Sequence, residues 1–187
     1  MQRRLILLRH GETEYNATQR MQGQLDTVLS ERGLAQAHAA AAELRDAGIG
    51  KIVSSDLVRA RHTAEVVGAD LGLAVDVDTR LRETHLGDWQ GKTHSEVDEE
   101  HEGARAMWRS DASWAPPQGE SRVEVARRAR EVVEELTAAG LLRRGFPVLR
   151  INLRGGLKSQ PRSTSHYHLG RSSDLAEALA ALPDALT

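Results

Sequence analysis

At 187 residues the chain fits one ordinary domain, with room for a real core and a single active site. It has no cysteine, which excludes disulfides, thiolate zinc sites and a cysteine nucleophile and makes the cytoplasm the expected location. Acids and bases are interspersed to a formal net charge of −2 with no basic arm, so no nucleic acid is expected as a partner, and the apolar run after Met1-Gln2-Arg3-Arg4 is too short for a signal sequence or a membrane span.

In chain order, Leu5 to Leu8 is a continuous aliphatic run stopped by Arg9-His10-Gly11, which predicts a strand buried on both faces. Ser30 can cap a helix over 31–47, with Ala35, Ala39, Ala42 and Leu44 toward the core and Gly48 closing it. Ile49 to Ser54 predicts a second strand, and Asp56 can cap the helix that follows to Leu71. Ala74 to Val77 is a third strand candidate. Residues 84–120, rich in Gly, His, Trp and Pro with little periodicity, read as a lid or insert. Ser121 and Glu124 make a capping box for a helix ending near Gly140, and Phe146 to Leu153 is the fourth strand candidate. Strands alternating with amphipathic helices predict an α/β domain with a mostly parallel sheet, whose ligands sit beyond the carboxyl ends of the strands. Arg9, His10 and the stretch from Ser54 to Arg59 fall there.

These residues supply the parts of phosphoryl transfer: a nucleophile, cations for the non-bridging oxygens and an acid for the leaving alcohol. A neutral imidazole at His10 can attack phosphorus if its other nitrogen donates to a carbonyl, and Gly11 can supply that carbonyl with no β-carbon to block the phosphate. Arg9 and Arg59 can hold the oxygens bidentately, Asn16 and Gln22 can add neutral donors, and Glu83 can give its proton to the departing oxygen. Other patterns carry less. Asp76-Val77-Asp78-Thr79 reads as a polar strand end, His166 and His168 lack further metal ligands nearby, and His38, His62, His94 and His101 read as solvated. Trp89, Trp108 and Trp114 read as core of the insert, on one of which a sugar ring can stack.

The run Leu7-Leu8-Arg9-His10-Gly11-Glu12-Thr13-Glu14-Tyr15-Asn16 resembles the signature of the histidine phosphatases of the phosphoglycerate mutase-like superfamily. The rest of that family's order follows in Gly23, Leu29, Gly33 and Gln36, in Ser54-Ser55-Asp56-Leu57 with Arg59, Ala60 and Thr63, in Leu81-Arg82-Glu83 with Gly87, Trp89 and Gly91, and in Gly119-Glu120-Ser121. The segments 21–27 and 78–91 are similar to one subgroup, the enzymes acting on glucosyl-3-phosphoglycerate. The resemblance implies a single domain over 1–187 with a three-layer α/β/α sandwich and hydrolysis of a sugar- or glycerate-bearing phosphate ester. It also implies no metal or other cofactor, a small phosphorylated substrate and a homodimer. In it, His10 becomes phosphorylated, Arg9 and Arg59 hold the phosphate, Glu83 is the general acid, and Asn16, Gln22 and Gly23 help bind substrate. Mutase-type phosphoryl transfer is the alternative reaction.

One family residue is missing. After the fourth strand the family has a histidine in a His-Gly-Gly turn, where this chain reads Arg154-Gly155-Gly156, and its longer fork cannot place a donor where an imidazole would. Residues 157–187 also depart from the family's apolar helix. Either the divergence is real, with His166 or His168 taking over, or the gene's reading frame shifts near residues 141–157. Codons for His166-Tyr167-His168, read from their third bases, must encode Leu followed by Pro or Ser, and the family's helix commonly ends in Leu-Pro. A catalytically impaired phosphate-binding relic is the corresponding alternative function.

Overall fold

The computed structural model describes residues 5–138 and 148–151. Strands β1 (Leu5–Leu8), β2 (Lys51–Ser54), β3 (Val75–Val77) and β4 (Val148–Ile151) form one sheet in the order β1-β4-β2-β3, with every pairing parallel. Leu8 and Ser54 both register with Ile151, so the carboxyl ends of β1 and β2 lie level on either side of β4. The loops that leave those two ends carry His10 and Arg59.

Alternation along the strands feeds two cores, as a period of two requires. Ile6, Leu8 and Ile52 pack with Ala41, Ala60, Ala64 and Val67 from helices α2 (Glu31–Leu44) and α3 (Val58–Leu71). Leu5 and Val53 pack on the opposite side with Leu81, Val132 and Leu136, the last two from helix α6 (Arg122–Ala138). The result is the expected α/β/α sandwich. The Ser121–Glu124 capping box forms as read, with Ser121 Oγ accepting from the Glu124 N–H and the Glu124 carboxylate accepting from the Ser121 N–H at 2.7 Å.

Three local expectations are corrected. Leu5 to Leu8 is half-buried throughout rather than fully buried, and β1 is the edge of the four described strands. On α2 the buried residues are Gly33, Ala37, Ala40 and Ala41, while Ala35, Ala39 and Ala42 are exposed. The phase is set by Gly33, where an added Cβ would lie 2.0 Å from the Glu12 carbonyl oxygen, so the bare first turn of α2 rests on the backbone after β1. Finally, Asp56 does not cap α3. Ser55 Oγ accepts from the Leu57 N–H and Asp26 Oδ1 from the Val58 N–H, leaving the Asp56 carboxylate to accept from Arg82, which holds it below the usual carboxylate range. A cap can come from any carboxylate that tertiary structure brings close, and Asp26 lies far off in sequence.

Within 84–120 lie two short helices, α4 (His94–Glu100) and α5 (Ala104–Ser110). Trp89, fully buried, meets Trp108 edge-on at 6.0 Å and Trp114 at 5.5 Å, and packs with Met21, Leu86 and Val97 in a third cluster. Aromatic pairing of this geometry adds about 0.5–1.5 kcal/mol beyond area burial, which explains order in a stretch with little periodicity.

Candidate functional site

His10 leaves the end of β1 and is buried. Its Nδ1 donates to the Gly11 carbonyl at 2.7 Å, and its Nε2 accepts from Arg59 Nε at 3.2 Å. This pair of bonds selects one tautomer, neutral with the lone pair on Nε2. Burial, then the charge of Arg59, lowers the imidazole to about 3, against a small opposing pull from the Gly11 carbonyl; Arg9 lowers it further. The ring therefore stays uncharged at every pH near neutrality.

Arg59 stands in the first turn of α3, almost wholly buried, with its guanidinium spread over the chain around it. Nη1 donates to the Leu25 carbonyl at 2.8 Å and Nη2 to the Gly23 carbonyl at 2.7 Å. Burial lowers its pKa, opposed by the carboxylates of Glu83 and Asp26. Gly23 earns its place through backbone geometry: its φ is +54°, and an added Cβ would lie 2.4 Å from Gln90 Oε1, which accepts from the Gln24 N–H at 2.7 Å. A side chain here would push apart the turn that presents its carbonyl to Arg59.

Gln22 is buried beside this turn, and its Oε1 accepts from the hydroxyls of Thr27 at 2.5 Å and Thr13 at 2.9 Å. With the carbonyl end so occupied, the amide N–H groups are the end turned elsewhere. Asn16 Oδ1 accepts from the Thr13 N–H at 3.1 Å, closing a capping box on the single-turn helix α1 (Glu14–Ala17). Glu83 is buried, with Oε1 accepting from the Thr84 N–H at 2.9 Å, and its charge acts on Arg59. Arg9 is exposed, and its charge lowers the pKa of both His10 and Arg59. The structure thus gathers His10, Arg59 and Gly23 by direct bonds and brings Arg9 and Glu83 within electrostatic range of them. Arg154, His166 and His168 lie outside the described residues.

Gly11 is read differently by the structure. An added Cβ there would lie 2.2 Å from the Gly33 carbonyl oxygen, so the glycine is required by α2 packing against it, and its N–H donates to Thr63 Oγ1 at 3.1 Å. Thr13, Asp26, Thr27 and Arg128 support the site without having been assigned roles from sequence. Thr13, Asp26 and Thr27 lie inside the family-like runs 7–16 and 21–27, which was the signal that could have found them, whereas Arg128 lies in no such run and has no linear signal.

The arrangement offers a neutral, oriented imidazole beside a desolvated cation and a buried carboxyl group, which suits attack on an electrophile carrying negative charge. The comparisons agree with that chemistry. The model of the histidine phosphatase superfamily (branch 1) matches residues 5–143. A glucosyl-3-phosphoglycerate phosphatase of Mycobacterium tuberculosis (strain ATCC 25618 / H37Rv) is 61% identical over 137 residues, 73% of this chain and 61% of that protein. A probable phosphoglycerate mutase GpmB of Erwinia tasmaniensis is 40% identical over 131 residues, 70% of this chain and 61% of that protein. The solved structure of a mycobacterial glucosyl-3-phosphoglycerate phosphatase in complex with VO3 superposes with a TM-score of 0.81 at 50% identity, covering 97% of this chain and 83% of the other. The chain thus spans about 61% of the length of the curated relatives it matches.

Proposed function

The chain belongs to the histidine phosphatase superfamily, and on that premise we propose that it hydrolyses a phosphate monoester through a phosphohistidine on His10. The observation that carries the reading is the His10 ring: bonded to Gly11 through Nδ1, held neutral, and presenting Nε2 to the Arg59 guanidinium. Nε2 forms the N–P bond as the P–O bond to the alcohol breaks, and Glu83, which enters each cycle carrying the proton it took from water in the previous one, gives that proton to the departing oxygen. Water then attacks the phosphohistidine, Glu83 takes up a proton from it, and inorganic phosphate leaves with His10 neutral again. Arg9 and Arg59 hold the non-bridging oxygens, and Gln22, Asn16 and Gly23 bind and shape the substrate side.

The substrate is glucosyl-3-phosphoglycerate or a related sugar or glycerate phosphate, a choice supported by the higher identity to the phosphatase of that substrate than to the probable mutase. Phosphate release should be measured across glucosyl-3-phosphoglycerate, 3-phosphoglycerate and simple sugar phosphates. Preference for the first supports the reading, while exchange of phosphoryl groups between phosphoglycerates without release would favour the mutase. The same reading makes the chain a single domain, with 84–120 as its lid or insert and 157–187 as an atypical tail, working as a homodimer in the cytoplasm. Size-exclusion chromatography with light scattering tests the dimer.

Arg154 favours a second reading, a phosphate binder of impaired activity. An arginine in place of the second histidine keeps charge but moves the donor, and a misplacement of about 1 Å can cost roughly 100-fold. Sugar phosphates should then turn over at least about 100-fold more slowly than with a relative bearing His-Gly-Gly, and Arg154→His should recover only part of the difference. Full activity of this exact sequence would overturn that reading and direct attention to His166 and His168.

A further inference from the structure

The loop after β3 delivers Glu83, and an arginine behind it bonds three of its backbone carbonyls. Arg128, on α6, donates through Nη1 to the carbonyls of Arg80 at 2.7 Å and Arg82 at 2.5 Å, and through Nη2 to the carbonyl of Glu83 itself at 3.1 Å. Its charge is met by Glu120, whose Oε1 accepts from Nη2 at 2.5 Å and whose Oε2 accepts from Nε at 3.2 Å. Glu120 Oε1 also accepts from the His85 N–H at 2.8 Å, so the ion pair grasps the chain on both sides of Glu83 and Thr84. Gln24, next to the turn that holds Arg59, adds a bond from Nε2 to the Glu83 carbonyl at 3.0 Å.

By contrast, the bond on the Glu83 carboxylate, from Thr84 N–H, lies inside the same loop and moves with it. The outer pair of Arg82 with Asp56 fixes the neighbouring side chain at the partly exposed rim. Carbonyl oxygens that converge on one planar fork define a position more sharply than they would on a point charge. We propose that Arg128, charge-balanced by Glu120, is a positioning residue that sets where the Glu83 carboxyl group sits relative to the leaving oxygen. The proposal rests on the acid role of Glu83 in the reading above.

An acid matters in proportion to the basicity of the departing oxygen, so a displaced acid has a signature that general loosening lacks. The full chain and its Arg128→Ala, Arg128→Lys and Glu83→Gln variants are assayed for kcat/KM on a sugar-alcohol phosphate and on nitrophenyl phosphate, with thermal melts alongside. Arg128→Ala should lose about 100-fold on the poor leaving group and less than about threefold on nitrophenol. Arg128→Lys, which keeps the pair with Glu120 but cannot span the carbonyls, keeps the fold and should lose about 10-fold and less than about twofold. Added to Glu83→Gln, Arg128→Lys should cost less than about twofold more on either substrate, because a displaced amide has no proton role left to lose. Guanidinium ion should restore part of the Arg128→Ala loss on the poor leaving group alone.

Equal losses on both substrates in Arg128→Lys, with Glu83→Gln still selective, would overturn the positioning role and leave the acid assignment standing. Equal losses in Glu83→Gln itself would remove the acid role and the proposal with it.

Discussion

In the proposed mechanism the nucleophile end of the site is fixed by its own side chains, whereas the acid end is fixed through backbone held by a helix behind it. His10 has both ring nitrogens bonded, and Arg59 spreads its fork over His10 and the carbonyls of Gly23 and Leu25. Glu83 depends on Arg128 reaching the carbonyls of Arg80, Arg82 and Glu83. The difference follows from the chemistry asked of each group. A nucleophile must hold one lone pair on one line, so the Gly11 bond to Nδ1 can persist while the Arg59 bond to the Nε2 lone pair passes to the phosphate before attack. An acid must gain and lose a proton in each turnover, so strong bonds to either form of its carboxyl would impede it, and support is better placed on the main chain.

The comparison can be broken or sharpened by a graded set of variants. The largest effect falls on the nucleophile: His10→Ala should abolish phosphate release and any acid-labile phosphoryl label, and robust turnover by it would end the assignment. Next, Arg59→Ala should lower turnover by about 100-fold or more, since it removes a preorganised clamp. A loss below about threefold would make Arg59 structural, with its bonds to Gly23 and Leu25 as its whole purpose. At the acid end, Glu83→Gln should be selective, hurting sugar phosphates about 100-fold and nitrophenyl phosphate far less.

Smaller effects concern stability. His10 is neutral in the folded chain down to about 3 but takes up a proton near 6.5 when unfolded. The unfolded state therefore binds more protons between these values, so stability is unaffected by this group above 6.5 and falls as pH drops from 6.5 toward 3. The slope from His10 alone is at most about 1.4 kcal/mol per pH unit. Denaturant melts against pH should lose that slope in His10→Gln, and an unchanged slope would show that other groups govern acid unfolding. For the same reason His10 should contribute no acid limb near 6.5 to kcat/KM once the phosphate ester's own second ionisation at ~6 is accounted for. Gly33→Ala, which forces a methyl group against the Glu12 carbonyl, should destabilise by about 1–3 kcal/mol. Because it pushes on the backbone two residues past His10, it should also weaken the nucleophile end more than the acid end, read as loss on both leaving groups alike.

What the sequence made legible follows the same division. Strand–loop–helix alternation pointed to the parallel sheet, and the run from Leu7 to Asn16 pointed to His10 and its bond to Gly11, which lies between sequence neighbours. Arg59, Gln22 and Glu83 were candidates from their place after the strands, and only the resemblance raised them above solvated residues, since nothing local shows that a given arginine or glutamate is buried. Two of the misreadings share one physical origin. The phase of α2 is set by Gly33 against Glu12, and the cap of α3 comes from Asp26, both decided by groups that only the folded chain brings together. Arg128 belongs to this class: helix α6 carries Arg122, Arg127, Arg128 and Arg130, and which of them reaches the loop after β3 is decided only in the folded chain.

The strand order β1-β4-β2-β3 has a consequence for the time course of synthesis. His10 follows β1 and Arg59 follows β2, yet these strands are not neighbours; β4, from far later in the chain, lies between them. A nascent chain that has released β1, β2 and β3 can pair β2 with β3 and wrap α3 over them, but it lacks the strand that sets the spacing between the two functional loops. The contact at 3.2 Å between Arg59 and His10 should therefore form only once Val148–Ile151 pairs in the middle of the sheet. Contacts of such long sequence separation form slowly, and until they do the flanks of β1 and β2 stay open to pairing with other chains. Chaperone dependence and yield at low expression temperature should accordingly track how readily the segment around β4 inserts.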